Sequence, residues 1–392
     1  MAAERVLAAQ AGLPVFVQAP DRARRLAFGL ATAQDNEELR RFGLEAAMPG
    51  PIRFSFDRTP DYLGALRVEG RESEVLVCRE SQTGRLVATG HRSVKPAFVN
   101  GKPELLGYLG GLRVDQSVRS GRFLGRGYAF LRALHVRRPA HLYVTTIMED
   151  NRPAKEVLLS GRFGLPMYQD LGRFCCMAVG LHGRSGGLAD RETSVRAAGP
   201  ADGAKVVAFL NREGRSRQFF PEYRVEDFGT PGGLLAHLEW EDVFLAVCKG
   251  ELVGVLAAWD QRACRRWRVT GYAPWLRLLR GPVNVVAKMR RMPLLPKAGS
   301  AADYFILSLV CIAQDDRTVF RALLEAVIQE KAAQYAFYLA GVHERDPLLP
   351  ELMVRPHVAL PSRLYAVAWG DGAEAIRRLD PRLVPYLELG AL

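Results

Sequence analysis

The chain has little that would cross-link it, bind a metal or cross a membrane. Its 392 residues include six cysteines, Cys78, Cys175, Cys176, Cys248, Cys264 and Cys311, with no CxxC pair and no histidine beside them at metal-ligand spacing. A disulfide framework and a zinc site are therefore not expected, and the thiols read as reduced, mostly buried side chains of a cytoplasmic protein. No apolar run approaches the length of about 18 residues that a spanning helix needs. The N-terminal stretch carries an early Glu4 and no sustained apolar segment, so no secretory leader is expected there. The phosphate-binding pattern G-x-x-x-x-G-K-[ST] is absent, and with it that way of holding a nucleotide.

Acidic residues are in the minority, 42 against 54 Lys and Arg, for a formal charge of +12. That balance suits an anionic ligand, an anionic membrane surface or nucleic acid. With 48% hydrophobic residues the chain can bury a large core, and at roughly 150 residues per domain its length suggests two domains. An internal repeat agrees. "EVLVCRESQTGRLVATGHRSV" and "VFLAVCKGELVGVLAAW" both read as hairpins, with Cys78 and Cys248 in corresponding places 170 residues apart. "YVTTIMEDN" from Tyr143 returns as "YLAGVHERD" from Tyr338. The polar, Gly- and Ser-rich stretch between the copies reads as a linker at 183–203. The expected organisation is an extension at 1–20, a first domain at 21–182, a second at 204–372 and a tail at 373–392. About two dozen extra residues in the second copy fall at 265–300.

The densest cluster is "RSGRFLGRG", three arginines and three glycines between Arg119 and Gly127. "LGGLRV" ahead of it reads as a short strand. "YAFLRALHVRR" behind it has apolar Phe130, Leu131 and Leu134 at helical intervals and basic residues in its last turn, where the helix dipole favours them. The run is then a strand-to-helix turn. Glycines let the backbone approach a ligand and present its N–H groups, and the helix start adds partial positive charge, which makes an anion cradle suited to a pyrophosphate. A tight turn with a solvated basic face is the plainer alternative. The dinucleotide fingerprint fails, because Phe130 stands where G-x-G-x-x-G needs its third glycine.

"RFLGRG", Arg122-x-x-Gly125-x-Gly127, resembles the [RQ]-x-x-G-x-[GA] signature of the GNAT superfamily of N-acetyltransferases. "LYVTTIMEDNRPAKEVLLSGRFGLPMY" resembles that family's fifth strand and its N-x-x-A-x-x-[LV] segment, with Asn151, Ala154 and Val157 in place. The resemblance implies an α/β (α+β) class: two GNAT-like domains, each a mixed, mostly antiparallel central sheet flanked by helices. It implies acetyl-CoA or a longer acyl-CoA as cosubstrate, without a metal. The pyrophosphate would lie on Arg122, Phe123, Leu124, Gly125, Arg126 and Gly127, with Asn151 and Ala154 nearby; Arg119-Ser120-Gly121 is the other register, because the stretch before Gly125 is a few residues longer than usual. Backbone N–H groups at Leu112, Arg113 and Val114, where the family's fourth and fifth strands splay apart, would polarise the thioester carbonyl.

Many family members carry a tyrosine seven residues after the Asn. That position is Leu158 here, which leaves Tyr168 as the candidate general acid. Glu149, at the end of the fifth strand, is the candidate base, its alternative being to cap the helix that follows. His343 and Glu344 hold the equivalent place in the second copy and would face the same cleft. That copy has no glycine between strand and helix and carries Asp315 and Asp316 where phosphates would sit, so only the first copy is expected to bind acyl-CoA.

Segment 265–300 interleaves Trp267, Tyr272, Trp275, Leu276, Leu278 and Leu279 with arginines. This fits a helix lying in an anionic lipid interface or a lid over an acyl chain; a packed helix with snorkelling arginines is the alternative. Nucleic-acid binding would use the same charges, but no recognition motif is present. The reading is an acyl-CoA-dependent N-acyltransferase acting on a primary amine, cytoplasmic or peripheral to the inner face of the membrane, with the oligomeric state open. In its sharper form the acceptor or donor is lipid-like. The rival is a non-catalytic CoA- or lipid-surface-binding scaffold built from two degenerate copies.

Overall fold

The computed structural model of the chain describes residues 17–20, 25–45, 51–181 and 192–392. Strands β1 (Val17–Pro20) and β2 (Arg25–Leu30) are followed by helix α1 (Asn36–Glu45) and β3 (Ile52–Asp57). An antiparallel meander of β4 (Glu72–Glu80), β5 (Leu86–Val99) and β6 (Lys102–Val114) leads through α2 (Gly121–Arg137) to β7 (Leu142–Met148), which runs parallel to β6. Then come α3 (Arg152–Leu158) and β8 (Met167–Gly180).

The second half repeats this succession. β9 (Thr193–Ala197), α4 (Gly203–Gly214) and β10 (Arg217–Gln218) precede the hairpin of β11 (Val243–Cys248) and β12 (Glu251–Trp259). Lys249 and Gly250 both have positive φ, the type I′ geometry that closes a two-residue hairpin. An excursion of β13 (Arg266–Tyr272) and α5 (Pro274–Met289) occupies the expected insertion, and β13 pairs with β3 in a sheet of their own. β14 (Tyr304–Ile312), α6 (Arg317–Lys331) and β15 (Phe337–His343) correspond to β6, α2 and β7. The chain ends with α7 (Leu349–Met353), β16 (His357–Ala368), α8 (Ala373–Arg377) and β17 (Val384–Pro385).

Thirteen of these strands form one sheet, in the order β1-β2-β4-β5-β6-β7-β16-β8-β15-β14-β12-β11-β9. Apart from the edge strand β1, the order is palindromic about the β16–β8 pair, and the two sequence repeats occupy matching places, β4–β5 against β11–β12 and β7 against β15. At the centre the final strands are exchanged. β16 pairs with β7 of the other half, β8 pairs with β15, and the two pair with each other from His357↔Val179 to Ala368↔Met167. The division expected at 183–203 therefore does not divide the sheet, because β7 and β15 would each be left with an open edge of unpaired backbone. Within that stretch, 183–191 lies outside the described residues, and the remainder supplies edge strand β9, paired with β11. Of the extension, 1–16 lies outside the described residues, and Val17–Pro20 pairs with β2.

Helices cover the sheet through apolar faces. Phe123, Tyr128, Leu131 and Leu134 of α2 pack on Leu76, Cys78 and Leu109, and Phe320, Leu323, Leu324 and Val327 of α6 pack on Leu256, Phe305 and Leu307. Each such buried side chain stabilises the fold by about 1.5–3 kcal/mol before entropy is counted.

Of the expected tail at 373–392, the last residues are instead core. β14 and β15 pair only from Tyr304↔Phe337 to Ile306↔Leu339 and then diverge. Segment 386–391 enters that cleft, with Tyr386, Leu387 and Ala391 buried and Leu389 against Gly341 of β15. β14 bulges here: Leu309 has φ +52°, and its N–H donates to the Glu388 carboxylate at 3.0 Å. Tyr386 donates to the same oxygen at 2.8 Å. Replacing Glu388 by Ala strips both donors of their acceptor, and we expect it to lower unfolding stability in urea by about 2–4 kcal/mol. An unchanged midpoint would mean that this segment does not hold the second cleft shut.

Candidate functional site

β6 and β7 diverge in the same way. They pair at Leu106↔Leu142, Gly107↔Tyr143 and Tyr108↔Val144, after which β6 continues to Val114 and β7 to Met148. The β5–β6 register slips from His91↔Gly110 to Thr89↔Arg113, so that Gly111 and Leu112 face Gly90 alone. Gly111 takes φ +61°, which suits the residue without a Cβ. A cavity of about 280 Å³ fills the opening and runs from Leu124 on α2, past Leu112 and His91, to Arg58, Arg265 and Leu392.

Helix α2 starts at Gly121. Ser120 is its N-cap, its hydroxyl accepting the N–H of Phe123 at 3.2 Å, and Leu124 donates to the Ser120 carbonyl. The N–H groups of Gly121 and Arg122 meet no acceptor among the described residues at the positive end of a 17-residue helix, with the exposed Arg119 and Arg122 beside them. "RFLGRG" is thus helix rather than turn, and the open helix start falls at the Arg119-Ser120-Gly121 register. Its glycines serve packing. A Cβ on Gly125 would stand 2.1 Å from the Phe163 carbonyl oxygen, and one on Gly121 would stand 2.2 Å from the Phe163 ring.

At the other end of the cavity lies a buried charge cluster that the sequence reading missed. Thr89, His91, Arg92, Ser93 and Lys95 are all buried on β5, and charged side chains are buried only where they are paired. Glu69, fully buried, lies 2.5 Å from His91 Nε2, 2.9 Å from Arg58 and 3.7 Å from Arg265. Burial pushes its carboxyl pKa up, but His91, Arg58 and Arg265 outweigh that and hold it below the usual carboxylate range. An ionised carboxylate only accepts, so Nε2 carries the hydrogen and Nδ1 the lone pair. Nδ1 is buried without a hydrogen-bond partner among the described residues and faces the backbone of Gly111, where a Cβ would stand 2.4 Å away. Burial lowers the His91 pKa and outweighs the opposing pull of Glu69. The imidazole is therefore a neutral base at neutral pH. The signal was in the hairpin itself: "GHRSVK" puts charges in the middle of a strand that an apolar pattern makes central.

Among the residues expected to bind the cofactor, Leu112, Arg113, Phe123, Leu124, Gly127, Asn151 and Ala154 line the cavity. Asn151 also caps α3, accepting the Ala154 N–H. Val114 pairs with Ala88 in the sheet, Arg122 is exposed at the helix start, and Gly125 and Arg126 lie on the helix body, Arg126 over the Phe28 ring. Tyr168 is in the cavity wall, its hydroxyl 2.6 Å from that of Tyr128. Burial pushes the Tyr128 pKa up to about 12, and burial together with Tyr128 raises that of Tyr168, so both phenols stay protonated. The other three catalytic candidates are not brought to the cavity. Glu149 is ion-paired to Arg173 at 2.7 Å. His343 donates through Nε2 to the Leu171 carbonyl and accepts the Arg345 N–H at Nδ1, which uses both nitrogens. Glu344 accepts the Arg173 N–H. The exchange explains this, because pairing with β8 turns the end of β15 toward Arg173 and Leu171.

Gly125→Ala tests the packing role of the motif. Helix propensity alone would make it stabilising by about 1 kcal/mol. We expect the melting temperature to fall by several degrees instead, because the Phe163 turn must move; a rise would show that this turn is not held against α2.

No family model and no curated protein matches the chain. Solved structures do. N-myristoyltransferase of Saccharomyces cerevisiae with bound myristoyl-CoA superposes with a TM-score of 0.57 and 12% identity, over 94% of this chain and 86% of that one. A tandem GNAT protein from the clavulanic acid biosynthesis pathway gives 0.53 and 14%, over 88% of this chain and 98% of that one. At such identities the likeness is one of fold. The splayed parallel pair, the bulge beside it and the helix that follows agree with it: this chain has the fold of the GNAT superfamily, laid down twice in one sheet.

Proposed function

We propose that the protein is an acyl-CoA-dependent N-acyltransferase acting on a primary amine, with the chemistry in its first half. The observation that carries this reading is the open Nδ1 of His91 against the Gly111 bulge, where β6 and β7 part. Acyl-CoA lies in the opening, its pyrophosphate at the N–H groups of Gly121 and Arg122 with Arg119 and Arg122 neutralising it. The thioester carbonyl sits at the bulge, where the Leu112 N–H polarises it. His91 takes a proton from the acceptor ammonium, and Glu69 stabilises the imidazolium that forms. The free amine attacks the carbonyl carbon, the C–N bond forms, and the C–S bond breaks with its electron pair going to sulfur. Tyr168 protonates the thiolate and is replenished from the proton that the new amide nitrogen loses; His91 passes its own to solvent.

The second half is read as a degenerate copy. Glu388 already occupies its bulge, Asp316 caps α6, and Asp315 is bound to Arg217. The yeast neighbour holds myristoyl-CoA, which supports acyl-CoA as the donor.

His91→Ala should lower kcat/KM by about 10²–10⁴-fold while the Kd for acyl-CoA stays unchanged. Arg122→Glu should weaken acyl-CoA binding. The wild-type rate should fall as acid protonates His91, with the midpoint below the ordinary imidazole value of about 6.5, because burial lowers that pKa. Thiol release measured against pH with a soluble amine reads all three. Full activity in His91→Ala would sink the assigned base, and acyl-CoA binding without any turnover in wild type would leave a CoA-binding scaffold.

A further inference from the structure

We propose that α5 seats the protein on an anionic membrane surface, lying in the interface rather than crossing it. The helix has two apolar faces. The inner one carries Leu276 and Val283, which pack with Val269 and Tyr272 in a small core, and the buried Ala287. The outer one, Trp275, Leu278, Leu279, Val285, Val286 and Met289, faces solvent, with Leu278 at 82% and Met289 at 79% exposure. A solvated helix face carries polar residues; a row of large apolar ones along about 24 Å of helix marks a surface that something covers.

Charge selects the occupant. Residues 261–302 contain ten Lys and Arg and no Asp or Glu. Arg262, Arg265 and Arg268 are neutralised by Asp260, Asp303, Glu69 and Asp57. Among the described residues, Arg277, Arg280, Lys288, Arg290, Arg291 and Lys297, on α5 and just after it, form no ion pair, Arg280 donating instead to the Leu295 carbonyl. An apolar row with a tryptophan, flanked by unpaired cations, is the composition that enters the headgroup region of acidic lipids. No described helix is long and apolar enough to cross a membrane. The outer row can be spent on lipid without disturbing the fold, because Asn284 already fastens the helix to Leu295 of the loop that follows, and Tyr272 at the end of β13 fastens the same loop at Pro296.

The position of α5 gives the docking a purpose. β13, just before it, carries Trp267, which packs edge-on to Phe56 of β3 at 4.8 Å, and both rings line the cavity. Seating α5 brings that wall of the cavity to the interface. Resting on the acyl-transfer reading, this makes the acceptor or the acyl chain a membrane-resident amphiphile.

Vesicle flotation tests the docking without needing turnover. Wild type should float with vesicles of phosphatidylcholine mixed with phosphatidylglycerol, and much less with phosphatidylcholine alone. The double variant Leu278→Glu, Met289→Glu should partition about tenfold or more weakly, with its melting temperature and its transfer to a soluble amine unchanged. Salt at about 1 M should weaken wild-type binding by screening the cations. Absence of binding to the acidic vesicles, or equal binding by the variant, overturns the proposal. So does a wild-type dimer in sedimentation equilibrium that the variant dissolves, since the row would then cover a second copy of the chain. Loss of transfer activity in wild type would instead count against the enzymatic reading, whatever the vesicles show.

Discussion

The exchange of β8 and β16 is the constraint on which the rest of the molecule depends. Each half builds a sheet that ends in a parallel pair, and each pair needs a further strand on its outer side. By taking that strand from the opposite half, the chain removes two open edges with one long antiparallel pairing at the centre. The price is symmetry of position: the two splayed openings lie on either side of the same central pair and share their walls. The cavity of the first half is accordingly lined in part by the second, through Gln261, Arg265, Ile306, Leu339 and Leu360.

Within this common frame the two openings are filled differently. Both sit beside a bulge with a positive-φ residue, Gly111 in one and Leu309 in the other. In the second, a carboxylate from the chain's own last segment satisfies the bulged N–H, and aromatic and leucine side chains fill the remaining space. In the first, the bulge faces a histidine whose Nδ1 has no partner among the described residues. A buried polar atom without a partner costs the fold energy, and such costs are tolerated where a ligand makes use of them. The Glu69 cluster bears that cost by holding His91 in one tautomer, with arginines contributed from both halves, Arg58 and Arg265.

Much of this was legible in the sequence where the signal was local. The hairpins around Cys78 and Cys248 and the strands opening at Tyr143 and Tyr338 could be matched by pattern, and they occupy matching places. The interleaved Trp, Leu and Arg of 265–300 marked an amphipathic helix, which forms at Pro274–Met289, while Trp267 and Tyr272 fall on strand β13. The failures share one cause, which is that pairing across long stretches of chain leaves no local trace. β16 reads as an ordinary strand of the second copy, and nothing in it names β7 as its neighbour. Glu149 and His343 were chosen for their place at strand ends, but Arg173 and the Leu171 carbonyl, on a strand brought in by the exchange, had already engaged them. Glu69 meets His91 across 22 positions and Arg265 across far more. Gly121 and Gly125 looked like part of a loop because glycine there serves close packing on Phe163, a contact made by the turn between α3 and β8.

The exchanged strand also sets an order of events during synthesis. The edge of β7 is finished once Met148 has left the ribosome, but its partner begins only at His357. At about 5–20 residues per second, that edge waits roughly 10–40 s, bare and flanked by apolar side chains. The nascent first half is therefore a sheet with a sticky margin, and β8, already made, is the nearest strand able to lie against it. A provisional β7–β8 pairing that later opens to admit β16 would protect the margin and make the arrival of the second half the step that completes the first.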